Sequence, residues 1–244
     1  MTRSRKRSWL HLFLLLILLA GIYSGCRADA PKRGNIIFDT IVVGQLGVNC
    51  FIMADESTKE GIVVDPGDDA ATILTDLKAK GIKLLYILNT HGHFDHVGAN
   101  RRLLEATGAK LMIHKEDEPF LGRAARSAVM YGLTADDSPL PDAYLTDGQK
   151  ITFGSHELRV IHIPGHSPGG CCFYLEGEKM LISGDSLFAD SIGRKDLPSG
   201  SQQQLVDGIR TKLLVLPAET RVFPGHGPAT TIGHEKQYNP YLGR

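Results

Sequence analysis

Cysteine is scarce in this sequence. There are four in 244 residues, and one of them, Cys26, falls in the first thirty positions. The other three, Cys50, Cys171 and Cys172, are odd in number and two are adjacent, so they make no disulfide framework. Charge of one sign is lacking as well: 27 Lys and Arg balance 27 Asp and Glu. That excludes the basic footprint of a nucleic-acid-binding protein. A long hydrophobic run is also missing, since the apolar stretch at 9–22 is shorter than the roughly 20 residues a spanning helix needs. Repeats and low-complexity tracts are absent, which excludes solenoids and disordered linkers.

The short apolar stretch has another use. It follows a basic head, "TRSRKRS", and precedes small residues, the pattern of a secretory signal peptide over residues 1–30. Two processing sites compete. "ADA" suits an ordinary signal peptidase, whereas "YSGC" resembles a bacterial lipobox ending before Cys26, with Tyr23 where leucine is usual. The expectation is an exported protein of the cell envelope or periplasm, touching membrane only through a lipid on Cys26. Residues 31–244 are long enough for one domain with a sizeable core.

Within that domain, short runs rich in Ile, Val, Leu and Phe recur between turn residues, as strands do: "NIIFDTIVV", "GIVVD", "LLYILN", "CCFYL", "KMLIS". Helical spacing interrupts them in "DDAATILTDLKAKG", "GANRRLLEATG" and "QQQLVDGIRTKLLVL". Such alternation predicts an α/β fold. Between about 115 and 149 the rhythm lapses into a helical insertion and a turn-rich return, read either as a lid over a site or as an outer buttress. Cys171 and Cys172 are read as buried thiols on opposite faces of one strand.

The chemistry concentrates in "LYILNTHGHFDHVGANRRLL". An apolar run that opens at its C-terminal end is where α/β proteins bind ligands. His91 and His93 can chelate one ion, with Gly92 turning the chain between them and Phe94 packing inward. Asp95 and His96 then face a second position. Three further groups stand at strand ends beside glycine: His166 in "VIHIPGHSPGG", Asp185 in "KMLISGDSLF" and His226 in "RVFPGHGPATT". His162 is read as a packed strand residue, and His11, His114, His156 and His234 lack this context. Five imidazoles and two carboxylates suit divalent metals, zinc first, with iron or manganese as alternatives. With Asp185 shared, His91, His93 and His166 serve one ion and Asp95, His96 and His226 the other.

This ordered set resembles the metallo-β-lactamase superfamily over nearly all of 31–244. The resemblance implies a four-layer αββα sandwich with the site along one edge. It also implies that Asp65, in "GIVVDPG", accepts a hydrogen bond from a ligand histidine and fixes its tautomer. "FADSIGRKDLPSGS", "MYGL" and "PDAYLTDG" are similar to the glyoxalase II-like thioesterases of type II, which hydrolyse hydroxyacylglutathione thioesters. Arg194 is a candidate for orienting the loop or a substrate carboxylate, and equally for a structural ion pair. Lys195 stands where Thr or Ser is commoner and is the other substrate-binding candidate. The helical domain that binds glutathione in larger glyoxalase II enzymes has no evident counterpart after Gly233.

The expected reaction is hydrolysis of an activated acyl bond by a metal-bridging hydroxide that Asp95 orients. A small-molecule acyl thioester or lactone is the expected partner; oligomeric state is open. Three relatives of the same fold remain as alternatives: a β-lactamase, which usually carries Cys or Ser at the Asp185 position, a lactonase, and a persulfide dioxygenase with one iron.

Overall fold

Strands buried on both faces read as nearly continuous apolar runs, and "VNCFIMAD" at 48–55, polar only at Asn49 and Asp55, is buried throughout. In the computed structural model, which describes residues 34–194 and 199–243, this strand is the second of six in a first sheet. The leader with Cys26, and Lys195, lie outside the described residues. The sheet runs in chain order: β1 (Ile36–Val43), β2 (Val48–Asp55), β3 (Glu60–Val64), β4 (Lys83–Leu88), β5 (Lys110–His114) and β6 (Ala143–Leu145). The first three are antiparallel, and β3 to β6 are parallel. Parallel neighbours need crossovers. Helix α1 (Ala70–Lys80) supplies one, and α2 (Phe94–Val97) with α3 (Asn100–Thr107) the next.

The second sheet holds β7 (Lys150–Phe153), β8 (His156–His162), β9 (Cys171–Leu175) and β10 (Met180–Gly184), all antiparallel. A two-stranded ribbon follows, β11 (Leu187–Phe188) with β12 (Ser191–Ile192). The sheet is completed by β13 (Arg221–Pro224), parallel to β10, and β14 (Thr230–Thr231) at its edge.

Period-two side-chain alternation turns these sheets into four layers. Phe51 and Met53 of β2 face inward with Phe153, Phe173 and Ile182, filling the space between the sheets. Cys50 and Ile52, on the other face, meet Ile73 and Leu77 of α1 and Leu103 of α3. Cys171 belongs to the inner cluster and Cys172 to the outer one. That outer cluster joins Leu181 and Val222 to Leu205 of α6 (Gln202–Gly208) and Ile232 of α7 (Ile232–Tyr238). The order is helix, sheet, sheet, helix. Emptying the Phe173 position to alanine would cost about 3–5 kcal/mol.

The differences from the sequence reading are local. The insertion is helical over α4 (Glu118–Leu121) and α5 (Ala124–Val129), but its return contains β6, which extends the first sheet. Three residues, "AYL", are too few to display alternation. The helix after residue 202 widens into a π turn over Ile209–Leu213. Helix α7 carries little apolar periodicity and is marked instead by its cap: Thr231 Oγ1 accepts from His234 N at 3.2 Å. Among the described residues, no helix is long and apolar enough to cross a membrane.

Candidate metal centre

Parallel strands share a direction, so their C-terminal ends open on one rim. Asp65 follows β3, His91 and His93 follow β4, Asp185 follows β10 and His226 follows β13. His166 arrives on the β8–β9 loop, and Asp95 and His96 ride on the single turn of α2. All seven side chains assigned to the ions meet there. His166 Nε2 lies 3.0 Å from His93 Nδ1, and His96 Nε2 lies 3.3 Å from His226 Nε2. Asp185 stands between the groups, 3.5 Å from both His166 Nε2 and His96 Nε2 and 3.8 Å from His226 Nε2. Asp95 Oδ2 is 3.4 Å from His226 Nε2.

Glycines permit this crowding by close approach. A Cβ on Gly92 would fall 2.7 Å from the Asp117 carbonyl and 2.8 Å from Phe120 Cβ, so that glycine serves proximity rather than the sharp turn expected of it. A Cβ on Gly225 would fall 2.3 Å from Asp185 Oδ1.

Hydrogen bonds behind the imidazoles fix their tautomers. A carbonyl can only accept, so His166 Nδ1 donates to Arg194 O at 3.0 Å and His226 Nδ1 donates to Leu46 O at 3.1 Å. His96 Nδ1 donates to Asp65 Oδ2 at 3.0 Å. The Thr90 hydroxyl donates to the same Asp65 oxygen at 2.6 Å, which leaves it free to accept from His91 Nδ1 at 3.0 Å. Asp65 thus orients two imidazoles, one directly and one through Thr90. In all four rings this leaves Nε2 turned into the centre, where it can ligate once any proton on it is released, as outer bonds around a metal require.

Two observations test whether a metal suits these residues. His91 Nε2 and Asp185 Oδ1 are buried and have no hydrogen-bond partner, a costly arrangement unless another group satisfies them. Nitrogens bound to one zinc at 2.0–2.1 Å in a tetrahedron lie about 3.3 Å apart, and the two close imidazole pairs are spaced at 3.0 and 3.3 Å. The triads His91–His93–His166 and Asp95–His96–His226 each have ligand atoms within 4.8 Å of one another. The donor set fits divalent metal.

Charge balance tells the same story. Burial, reinforced by neighbouring imidazoles, pushes His91 well below the usual histidine range and His93 down to about 3. Burial would also lower His96, but Asp185, Asp95 and Asp65 outweigh it and raise that histidine to about 10. His226 is likewise raised, by Asp95 and Asp185, against its burial. Burial acts to raise the Asp95 carboxyl, yet His96 and His226 hold it well below the ordinary carboxylate range. Without metal, a proton on His96 offsets part of the carboxylate charge.

A cavity of about 580 Å³ opens over the centre. The insertion supplies one wall through Phe120, Ser127, Met130 and Tyr131, so it borders the site rather than buttressing a distant face. Leu46, Phe94, Phe188 and Ile192 complete the apolar lining, and Arg194 also borders the cavity.

Sequence reasoning missed two things here. Asp117, wholly buried, accepts from Gly92 N, Ser167 Oγ and Gly169 N, bonds visible only once the loops are brought together. His114 and His162 were not grouped, yet their rings stack at 4.1 Å and 11°, with Glu116 alongside. Their strands belong to different sheets, so nothing in the spacing linked them. Parallel rings aim their in-plane lone pairs side by side rather than at one point, so this pair is no preformed ion site.

The comparisons with known proteins agree with the geometry. The sequence profile of the metallo-beta-lactamase superfamily matches residues 43–226. The chain is 36% identical to a protein called hydroxyacylglutathione hydrolase GloC from Haemophilus influenzae, over 80% of this chain and 92% of that one. Two solved structures share the fold. TTHA1623, described in a di-iron-bound form, is 40% identical with a TM-score of 0.77, covering 84% of this chain and all of its own. BLEG-1, described as a B3 metallo-beta-lactamase, is 37% identical with a TM-score of 0.80, covering 85% of this chain and all of its own. With that sequence match, this fold and a strand-end set of histidines and aspartates, the chain belongs to the metallo-β-lactamase superfamily.

Proposed function

We propose that this protein is a dinuclear metal-dependent hydrolase of activated acyl bonds, acting on a thioester of the hydroxyacylglutathione type. The observation that carries the reading is the convergence of seven ligand-type side chains, two with unpartnered buried atoms, at the floor of an open cavity. Divalent ions bound there would lower the pKa of water towards about 7 and polarise a carbonyl. His91, His93 and His166 would hold one ion and Asp95, His96 and His226 the other, with Asp185 shared.

The chain's own groups do the rest. Asp95, beside His226, is the carboxylate placed to accept a hydrogen bond from the attacking water or hydroxide and keep it aimed. The wall of Phe120, Met130, Tyr131 and Phe188 offers apolar contact to the acyl or thiol group. A thiolate can depart unprotonated at neutral pH, so a thioester needs no strong general acid. The cavity volume falls in the range of about 300–1,000 Å³ usual for small-molecule sites. The Haemophilus relative's name supports the substrate class, and the di-iron neighbour supports two metals, with zinc, iron and manganese all compatible with this donor set. Export to the cell envelope, with any membrane contact through Cys26, and action on small molecules without nucleic acid belong to the same proposal.

Metal analysis coupled to a substrate panel tests it: lactoylglutathione, an acyl-homoserine lactone, a cephalosporin, and a glutathione persulfide followed by oxygen uptake. Near two metal ions per chain and fastest turnover of the thioester are expected. One iron with oxygen uptake and no thioester cleavage would overturn the reading, as would a clear preference for the cephalosporin.

A further inference from the structure

Both triads at the rim join the two sheets, but through different loops. Asp95 and His96 on α2 meet His226 from the loop after β13, whereas His91 and His93 from the loop after β4 meet His166 from the loop after β8. For the three imidazoles to meet, the loop after β4 and the loop after β8 must be held in register. The 3.0 Å separation of His93 Nδ1 and His166 Nε2 depends on it.

One side chain spans that gap. Asp117 sits at the end of a single 3₁₀ turn, Lys115–Asp117, just after β5, and its side chain is fully buried. Its Oδ2 accepts from Gly92 N at 2.9 Å, between the two ligands of the first loop. The same oxygen accepts from Ser167 Oγ at 2.7 Å, next to the ligand of the second loop. Its Oδ1 accepts from Gly169 N at 2.6 Å. Both glycines are needed for the approach: a Cβ on Gly169 would lie 2.8 Å from Asp117 Cγ, and one on Gly92 would lie 2.7 Å from Asp117 O. Two of the three donors, Gly92 N and Gly169 N, are fixed backbone N–H groups that only an acceptor can satisfy, one on each carboxylate oxygen. An amide in this place must point its NH₂ at one of them in either orientation.

We propose that Asp117 is a positioning residue that sets the spacing of His91, His93 and His166, so that one carboxylate governs affinity at one metal position and leaves the other nearly untouched. This rests on the two-metal reading above.

The test is a titration of the metal-free full-length protein with Co(II) against a competing chelator, followed by visible absorption. The unaltered chain should bind in two resolvable steps. Asp117→Asn should weaken one step by roughly 10–100-fold, the loss typical of a second-layer partner. The other step should move no more than about threefold. Ser167→Ala removes one of the three bonds, should fold readily, and should weaken the same step by a smaller factor. Equal weakening of both steps would assign Asp117 to general folding and overturn the proposal, as would no change in either variant. A single step in the unaltered chain would instead overturn the two-metal reading, and it would show before any variant is made.

Discussion

The sandwich has two rims, and an aspartate stands between the sheets at each, fully buried at one and partly exposed at the other. At the far rim, β2 ends on Asp55, whose carboxylate reaches the β7–β8 turn of the other sheet. It accepts from Ser57 N at 2.8 Å, Ser57 Oγ at 2.5 Å, Thr58 N at 3.0 Å, Ser155 N at 2.8 Å and Ser155 Oγ at 2.5 Å. Both oxygens are satisfied. At the near rim Asp185 is equally well placed between sheets, yet its Oδ1 is buried without a donor, as is His91 Nε2. A polar group satisfied by its own chain contributes to folding, while one left unsatisfied costs free energy that a ligand must offset. The contrast separates a clasp from a site without reference to any relative.

Opposite substitutions should therefore have opposite signatures. Asp185→Asn should lower kcat/KM by more than about 100-fold, exceeding the loss from a mere second-layer change, and bring metal content below two per chain. The metal-free chain should unfold at nearly the same urea concentration, since Asp185 Oδ1 has no hydrogen bond to lose and Asp95 and Asp65 still face the His96 proton. Asp55→Asn should do the reverse. Turnover per folded molecule should hold, while unfolding free energy falls by about 1–3 kcal/mol, the cost of a buried donor left facing a donor. Loss of metal from Asp55→Asn, or marked destabilisation of the metal-free Asp185→Asn chain, would erase the distinction.

Acid should affect the rims differently too. The donors around Asp55, the Ser155 and Ser57 hydroxyls first, hold its carboxyl well below the ordinary range. Its stabilisation is complete above the unfolded value of about 3.9 and is lost as pH falls towards the folded one. The advantage of the unaltered chain over Asp55→Asn should therefore shrink in urea melts below about pH 4. At the near rim, His96 is raised to about 10, so metal must displace a proton at neutral pH. Between pH 6 and 8, metal affinity should rise about tenfold per unit for each proton released, which a chelator competition series would read.

The legibility of this molecule follows the range of its interactions. His91, His93, Asp95 and His96 fall within six positions of an apolar run, and every other ligand stands next to a strand end and a glycine, so local spacing exposes them. The layered fold is legible for the same reason, through alternation in β2 and helical spacing in α1. What local pattern cannot carry is pairing across sheets. Asp117 looks like any acidic turn residue in "HKEDEP", and His114 is separated from its stacking partner His162 by the whole insertion and β7. Helix α7, β6 and the π turn were hidden because each is short and draws its stability from neighbours rather than from its own periodicity.

The smallest expected effect bears on the cavity wall, where neither rim's logic applies. Met130 and Tyr131 are 82% and 52% exposed, so they contribute little to the core. They face the cavity on the side of the insertion, and their removal should take apolar contact from a bound acyl or thiol group without disturbing any metal ligand. Tyr131→Ala and Met130→Ala should each raise KM a few-fold, given about 1–3 kcal/mol for a fully lost apolar contact and less for one half open to water. The value of kcat, the metal content and the melting temperature should stay within error. A fall in kcat at unchanged KM would instead mean that the wall acts only in the transition state, and the insertion would then belong to the catalytic centre rather than to its border.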